Sequence, residues 1–371
     1  MAQRPRVLLL IPHLGGGGAE QVTALLARSL NGDRYDLHLG LMTRADIGSH
    51  CFPPHVRVYG LGAGRVRTAA WKLLWLVRRL KPDVVLSGMA HLNFLVLLLR
   101  PFLPRRTHVV VRQNSTVSAA LGFGDLPGYT RLLYRWLYHR ADRVICQTGA
   151  MADDLARQLG TAEEQLAVLA NPLDVQAIRD QAKADPGLWT GAGPHLLAIG
   201  RLAPVKGFDM LLQALAAARA QFPDADLLIA GAGPAEAPLR ALCRELGLEA
   251  AVSFAGHVDR PSVYFPGAAA FVLSSRHEGL PNALLEAAAG GLPIVALPSS
   301  QGVVDLLQGQ PGVWLAPVIS TDALAETLVT ALQALRPGAR FAHTFVEQFR
   351  IERSIQAYED LIDSTLRMWR R

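Results

Sequence analysis

Short, largely apolar runs alternate along this chain with stretches whose apolar positions recur every three or four residues. Residues 6–12 (RVLLLIP), 35–41, 56–59, 83–88, 108–112 (HVVVR), 142–147 and 166–169 are runs of the first kind. The second half restarts the pattern at 194–199, 226–230, 252–254, 271–274, 292–297 and 314–317. Such runs, apolar on both faces, predict buried parallel strands. Between them, 19–30, 68–81, 129–139, 151–159, 208–220, 282–289 and a stretch from 321 carry the helical period, with further helix over 341–371. Alternating strand and helix predicts two doubly wound α/β domains facing a cleft, with ligands at the C-terminal strand edges. Asn171-Pro172-Leu173-Asp174 marks the hinge, because proline holds the residue before it extended. The expected domains are 1–172 and 173–354.

The stretch 275–293 (SRHEGLPNALLEAAAGGLP) concentrates the candidate chemistry. Pro281 suits the first helical position, Asn282 to Ala289 is rich in helix formers, and Gly290-Gly291 is a stop. Glu278 precedes the helix and Glu286 lies inside it, about 8 Å past Pro281. Between them a helix N-terminus offers free N–H groups to a phosphate. Hydroxyl acceptor, phosphate seat and hydroxyl acceptor, in that order, fit a sugar–diphosphate–ribose ligand; a surface helix with solvated glutamates is the plainer alternative. In 200–207 (GRLAPVKG), Arg201 and Lys206 bracket a strand-to-helix loop, where two cations can neutralise a diphosphate. The glycine loop 15–18 and the turn at Gly231 allow a ligand close to the backbone. His91 follows the strand 83–88, at the edge where open α/β sheets bind ligands. Asp224-Ala225-Asp226 spells a metal-binding DxD but enters its strand from the wrong end, so no metal site is assigned.

Glu278 and Glu286, seven residues apart within EGLPNALLEA, form an E-x7-E pattern that resembles the retaining glycosyltransferases of family four (GT4) with the GT-B fold. The resemblance extends to the opening GGGGAE, to NPLD at the crossover, and to GRLAPVKG, one residue short of the family's usual spacing. It is closest over 196–298 and loosest over 42–135, where acceptor specificity is expected. The Gly290-Gly291 pair departs from the family's usual small residue and glycine. The resemblance implies transfer of a hexosyl or N-acetylhexosaminyl group, with retention, from a nucleotide diphosphate donor, UDP-sugar favoured, to an acceptor hydroxyl. It implies that Glu286 bonds the ribose, that Glu278 with Gly279, Leu280, Pro281, Asn282 and Ala283 holds sugar and phosphates, and that Gly200, Gly231, His257 and Val258 border the nucleotide. Arg201 and Lys206 would do a metal's work, so neither metal nor other cofactor is expected. His91 and the Gly17-Gly18 loop would line the sugar and acceptor side, with the polar string Arg112-Gln113-Asn114 facing the cleft. The final helix, about 355–371, would cross back to the first domain. A sugar-nucleotide epimerase of this architecture and a non-catalytic GT-B subunit are the rivals.

Charge adds an asymmetry. Of the net +6, residues 1–172 hold 21 Lys/Arg against 11 Asp/Glu (+10), and the rest 16 against 20 (−4). A basic first half suggests an anionic surface or acceptor, and a glycan or lipid-linked acceptor rather than nucleic acid is expected. Trp71 and Trp75, four apart, share a predicted helix with Lys72, Arg78, Arg79 and Lys81. Such a helix suits a membrane interface, or else the tryptophans face the core and the cations are merely solvated. No apolar run is long enough to span a bilayer, 7–14 is too short for a signal peptide, and three scattered cysteines form no framework. The expected location is cytoplasmic, with peripheral contact at the inner face of the cell membrane.

Overall fold

The computed structural model describes residues 4–15, 17–43, 52–62, 66–118, 130–183, 187–191 and 193–368. The glycine-rich stretch 122–128 and the terminal Trp369, Arg370 and Arg371 lie outside them. The chain divides into two compact units, Met1–Pro172 with Ile351–Arg371, and Leu173–Arg350.

In the first unit, β1 (Arg6–Ile11), β2 (Asp36–Leu41), β3 (Val56–Gly60), β4 (Val84–Ser87), β5 (His108–Arg112), β6 (Arg143–Cys146) and β7 (Leu166–Val168) form one parallel sheet in the order β3-β2-β1-β4-β5-β6-β7. The period of two sends alternate residues to opposite faces. Leu8 and Leu10 of β1 join Val85, Val109 and Val144 under helices Val66–Leu80, Ala90–Leu99, Thr130–Leu137 and Gly149–Leu159. Val7, Leu9 and Ile11 turn the other way, to Leu26 of helix Gly18–Ser29 and to Tyr358 and Ile362 of helix Ile351–Arg367. Polar contacts fix this last helix: Glu359 accepts from the Asn31 N–H at 2.9 Å, and Asp363 from the Tyr35 hydroxyl at 2.7 Å.

In the second unit, β8 (His195–Ile199), β9 (Asp226–Ala230), β10 (Val252–Gly256), β11 (Ala270–Leu273), β12 (Ile294–Ala296) and β13 (Val313–Leu315) run parallel in the order β10-β9-β8-β11-β12-β13. Leu196, Ala198, Leu227, Ile229 and Val272 pack under helices Phe208–Ala218, Glu236–Glu245 and Thr321–Ala334. Both units are Rossmann-like.

Four helices escape the sequence reading: Ala90–Leu99, Val175–Gln181, Glu236–Glu245 and Gln301–Leu307. The first (AHLNFLVLLL) is apolar nearly all round and shows no stripe. Its presence moves His91 and Asn93 from the expected loop into a first helical turn, where Asn93 is buried. Glu236–Glu245 contains Pro238, which is tolerated because it falls in the first turn.

Candidate active site

In a doubly wound sheet the ligand crevice opens where strand order reverses, at the C-terminal edge. In the second unit that point lies between β8 and β11. The loops leaving these strands are those holding Arg201 and Lys206, and Glu278.

The two loops are tied together. A 3-10 turn, Pro204–Lys206, ends at Gly207 with φ +62°. A Cβ there would stand 2.1 Å from the Ser274 carbonyl oxygen, so only glycine lets the loops approach. The Ser274 hydroxyl donates to the Lys206 carbonyl at 2.9 Å, and the Arg276 N–H to the Val205 carbonyl at 2.8 Å. The Arg276 guanidinium grips Asp209 through two bonds, which holds that carboxyl below its ordinary pKa. On this frame Lys206 Nζ donates to Glu278 Oε1 at 2.6 Å, and the Ser275 hydroxyl donates to the same oxygen at 2.6 Å. Lys206 has three donors and uses one here, leaving two for an anion. Arg201 is exposed and has no hydrogen-bond or ion-pair partner among the described residues.

The turn then runs into helix Asn282–Ala289. Pro281 is its N-cap, with ψ 109°, one position earlier than expected: its extended backbone precedes the first helical residue. The N–H groups of Leu284 and Leu285 both reach the Pro281 carbonyl. Those of Gly279, Leu280 and Ala283 have no acceptor among the described residues, although Gly279 and Leu280 are buried. Orphaned buried donors at a helix start are rare without a ligand, and their partial positive charge suits an anion. At the other end Leu292 N–H bonds the Ala287 carbonyl past Gly291 at φ +77°, a Schellman stop. Asn282 and Ala283 are half-buried in the first turn, and Glu286 lies one turn on from Asn282. Glu286 keeps some surface open to solvent, but dense protein surrounds its carboxyl and burial pushes its pKa up to about 7. No described side chain bonds it, so its acceptor capacity is unspent.

The neighbouring strand ends complete the edge. A Cβ on Gly231 would fall 1.9 Å from the Gly200 carbonyl oxygen, and Gly231 N–H bonds the Gly256 carbonyl at 2.7 Å. Gly200, Gly231 and the turn to His257 and Val258 therefore lie side by side. His257 is exposed, its Nε2 3.2 Å from Asp259. At the opposite edge, Asp226 begins β9 and bonds His195 Nδ1 at 2.8 Å, leaving the DxD string away from the crevice.

The first unit's strand order reverses between β1 and β4. His13, after β1, and His91, after β4, sit there with Glu20. Glu20 is buried, with Oε1 3.8 Å from His13 Nε2, and its carboxylate folds back so that Oε2 fills the place of a Cβ on Gly17. Gly17 is the N-cap of helix Gly18–Ser29, and Gly18 is exposed at its first position. Gly15 N–H donates to His13 Nδ1 at 3.2 Å, so His13 presents Nε2–H to Glu20. His91 is solvent-open, yet the protein bulk beside it lowers its pKa by desolvation; Glu20 opposes this shift and His13 adds to it. Sequence reasoning missed Glu20 and Ser275. The acid after the glycine loop was a signal for the first; nothing marked the second.

Arg112 and Gln113 do not form a cleft-facing string. Both are buried, because β5 is an interior strand. Arg112 donates to Asn114 and Asn171, and Gln113 to the Tyr134 hydroxyl at 3.2 Å.

Models of two families match the chain, Glycosyltransferase Family 4 over residues 16–177 and Glycosyl transferases group 1 over 193–334. The chain belongs to the family-four type of glycosyltransferases, with the GT-B fold. It is 26% identical over 339 residues to a Campylobacter jejuni N-acetylgalactosamine-N,N'-diacetylbacillosaminyl-diphospho-undecaprenol 4-alpha-N-acetylgalactosaminyltransferase, covering 88% of this chain and 89% of that one. Its fold is that of sucrose-phosphate synthase from Thermosynechococcus elongatus (TM-score 0.82, 19% identity, 97% of this chain and 100% of the other). It is also that of Anabaena Alr3699/HepE in complex with UDP and glucose (TM-score 0.79, 20% identity, 97% and 100%).

Proposed function

We propose that this glycosyltransferase moves a hexosyl or N-acetylhexosaminyl group from a UDP-sugar to a hydroxyl of a lipid-linked glycan, with retention and without a divalent metal. The observation that carries the reading is the pairing of Lys206 with Glu278 beside unengaged Arg201, the orphaned N–H groups of Gly279, Leu280 and Ala283, and Glu286 one turn beyond. Cleavage of the bond between the anomeric carbon and the diphosphate leaves charge on the departing oxygen. Lys206, Arg201 and the helix start stabilise that charge in place of a metal. Glu286 accepts the ribose hydroxyls, and Glu278, anchored by Lys206 and Ser275, accepts sugar hydroxyls. A carboxylate so engaged is no free nucleophile, which favours attack of the acceptor on the face the diphosphate leaves. His91, with Glu20 and His13 near it, attends the acceptor hydroxyl. The UDP bound in HepE supports the choice of nucleotide, and the diphospho-undecaprenol named for the Campylobacter enzyme supports a lipid-linked acceptor. Such an acceptor places the work at the inner face of the cell membrane.

The test incubates the protein with radiolabelled UDP-sugars, with and without bacterial lipid extract, and follows label into the lipid phase alongside UDP release. Lipid-dependent transfer is expected. Interconversion of sugar nucleotides without acceptor would replace the reading with an epimerase, and donor binding without turnover with a non-catalytic subunit.

A further inference from the structure

Three helices of the first unit, Val66–Leu80, Ala90–Leu99 and Thr130–Leu137, form one layer over one face of its sheet. Leu73, Leu76 and Val77 of the first, Val96 and Leu97 of the second, and Tyr134 and Leu137 of the third fill a single apolar cluster. The outer side of that layer is apolar and aromatic as well. Trp71 is 69% exposed and Trp75 52%, which settles the alternative left open by the sequence: neither faces the core. Leu98 and Phe102 are each 56% exposed, Leu132 60% and Trp136 67%. Every tryptophan or phenylalanine exposed among the described residues lies on this layer.

The pairs follow helical spacing. Trp71 and Trp75, and Leu132 and Trp136, are four apart and so share a face of their helices, while Leu98 lies in the last turn of the second helix and Phe102 follows in the 3-10 turn Arg100–Phe102. The helices that carry them are neighbours. Arg78 Nε donates to the Phe102 carbonyl at 3.1 Å, joining the first helix to the end of the second. Phe94 meets Tyr134 edge-on at 4.8 Å between ring centres, joining the second to the third.

Cations are woven through the stripes. Arg79 stacks over the Trp75 ring at 5.0 Å, and Arg131 and Arg135 flank Leu132 and Trp136. Arg105 and Arg106 are exposed just past Phe102. None of the three helices contains an Asp or Glu. The whole unit holds 25 Lys/Arg against 15 Asp/Glu, whereas the other unit holds 12 against 16. Isolated exposed apolar residues need no explanation, but a patch of this extent does. Indole rings interleaved with unopposed arginines match the boundary of an anionic bilayer, where rings sit at headgroup depth and cations meet lipid phosphates. Among the described residues no helix is long and apolar enough to cross a membrane, so this contact is peripheral.

We propose that the outer face of these three helices docks the protein on anionic lipid, with Trp71, Trp75 and Trp136 entering the interface. This deepens the lipid-linked reading of the acceptor and rests on it for its purpose, but binding is measured without turnover.

The experiment is flotation with phosphatidylglycerol-rich and with purely phosphatidylcholine vesicles, at about 50 and about 300 mM salt. Co-flotation with the anionic vesicles at low salt is expected, falling on the order of tenfold at the higher salt and without anionic lipid. The triple variant Trp71→Ser, Trp75→Ser, Trp136→Ser and the charge variant Arg79→Glu, Arg131→Glu, Arg135→Glu should each lose it at least tenfold. All six side chains lie on the outer surface, and unchanged circular dichroism and UDP affinity will show that the variants fold. Absence of flotation at low salt, equal binding to neutral vesicles, or binding indifferent to both variants would overturn the proposal. So would a dimer, seen by light scattering, that dissolves in the tryptophan variant: the face would then belong to a second copy. Because UDP binding and lipid transfer are read separately, failure of docking and failure of the transferase reading remain distinguishable.

Discussion

Replacing Glu286 with Gln should stabilise the protein and weaken donor binding at once. Burial raises the Glu286 carboxyl from its ordinary value of 4.5 to about 7 in the folded chain. The sign follows from which form the fold favours. The folded pKa lies above the unfolded one, so the folded chain binds the proton more tightly. Full stability is present below pH ~4.5 and is lost as pH rises through ~7. At about 1.4 kcal/mol per unit the loss approaches ~3 kcal/mol by pH 8, reduced to roughly 1–3 by the part of the side chain open to water. Glu286→Gln removes that cost, which for a unit of this size raises the melting temperature at pH 8 by about 3–8 °C. At pH 5, half a unit above the unfolded value, only about a quarter of that difference should remain. UDP reverses the preference, because ribose hydroxyls donate to the ionised carboxylate. Titration near pH 6 in buffers of different ionisation enthalpy should therefore show release of part of a proton. The variant should show none, and its affinity should fall by ~1.5–3 kcal/mol, roughly 10- to 150-fold. A melting difference that is the same at pH 5 and pH 8, with no proton release, would mean that Glu286 is not held protonated by burial.

Lys206→Ala should lower turnover by on the order of 10²-fold while leaving the fold intact, since the lysine acts on charge that develops at the leaving diphosphate; undiminished turnover in a steady-state assay would remove it from the mechanism. Gly207→Ala should cost at least ~2 kcal/mol in urea unfolding, because it forces a side chain into left-handed backbone and against the Ser274 carbonyl; a shift under 0.5 kcal/mol, roughly the effect of an ordinary surface change, would contradict that. Transfer should persist in EDTA, and activity abolished by chelation and restored by Mg²⁺ or Mn²⁺ would contradict the role given to Arg201 and Lys206.

The sequence exposed the strands because parallel interior strands are continuous apolar runs; β1 and β9 were legible almost to the residue. Helix Asn282–Ala289 was equally plain, with a proline before it and glycines after it. Helix Ala90–Leu99 was not, since a helix apolar on every side carries no period. Contacts between distant residues were out of reach. Lys206 and Glu278 are 72 positions apart, and only the adjacency of β8 and β11 brings their loops together. Ser275 gains its role from that meeting. Arg112 misled because the expectation for it came from the resemblance alone, whereas an interior strand buried it in a polar network. The tryptophans of helix Val66–Leu80 show the reverse limit: spacing placed them on one face and could not say which way that face looked.

On the proposed reading, the β8 and β11 loops with helix Asn282–Ala289 hold a nucleoside diphosphate. Calorimetric titration of UDP, uridine and inorganic diphosphate into the parent protein, Lys206→Ala and Glu286→Gln tests it directly. The parent should bind UDP and bind uridine far more weakly. Lys206→Ala should weaken UDP and inorganic diphosphate alike, and Glu286→Gln should weaken UDP alone. UDP affinity unchanged in both variants would contradict it.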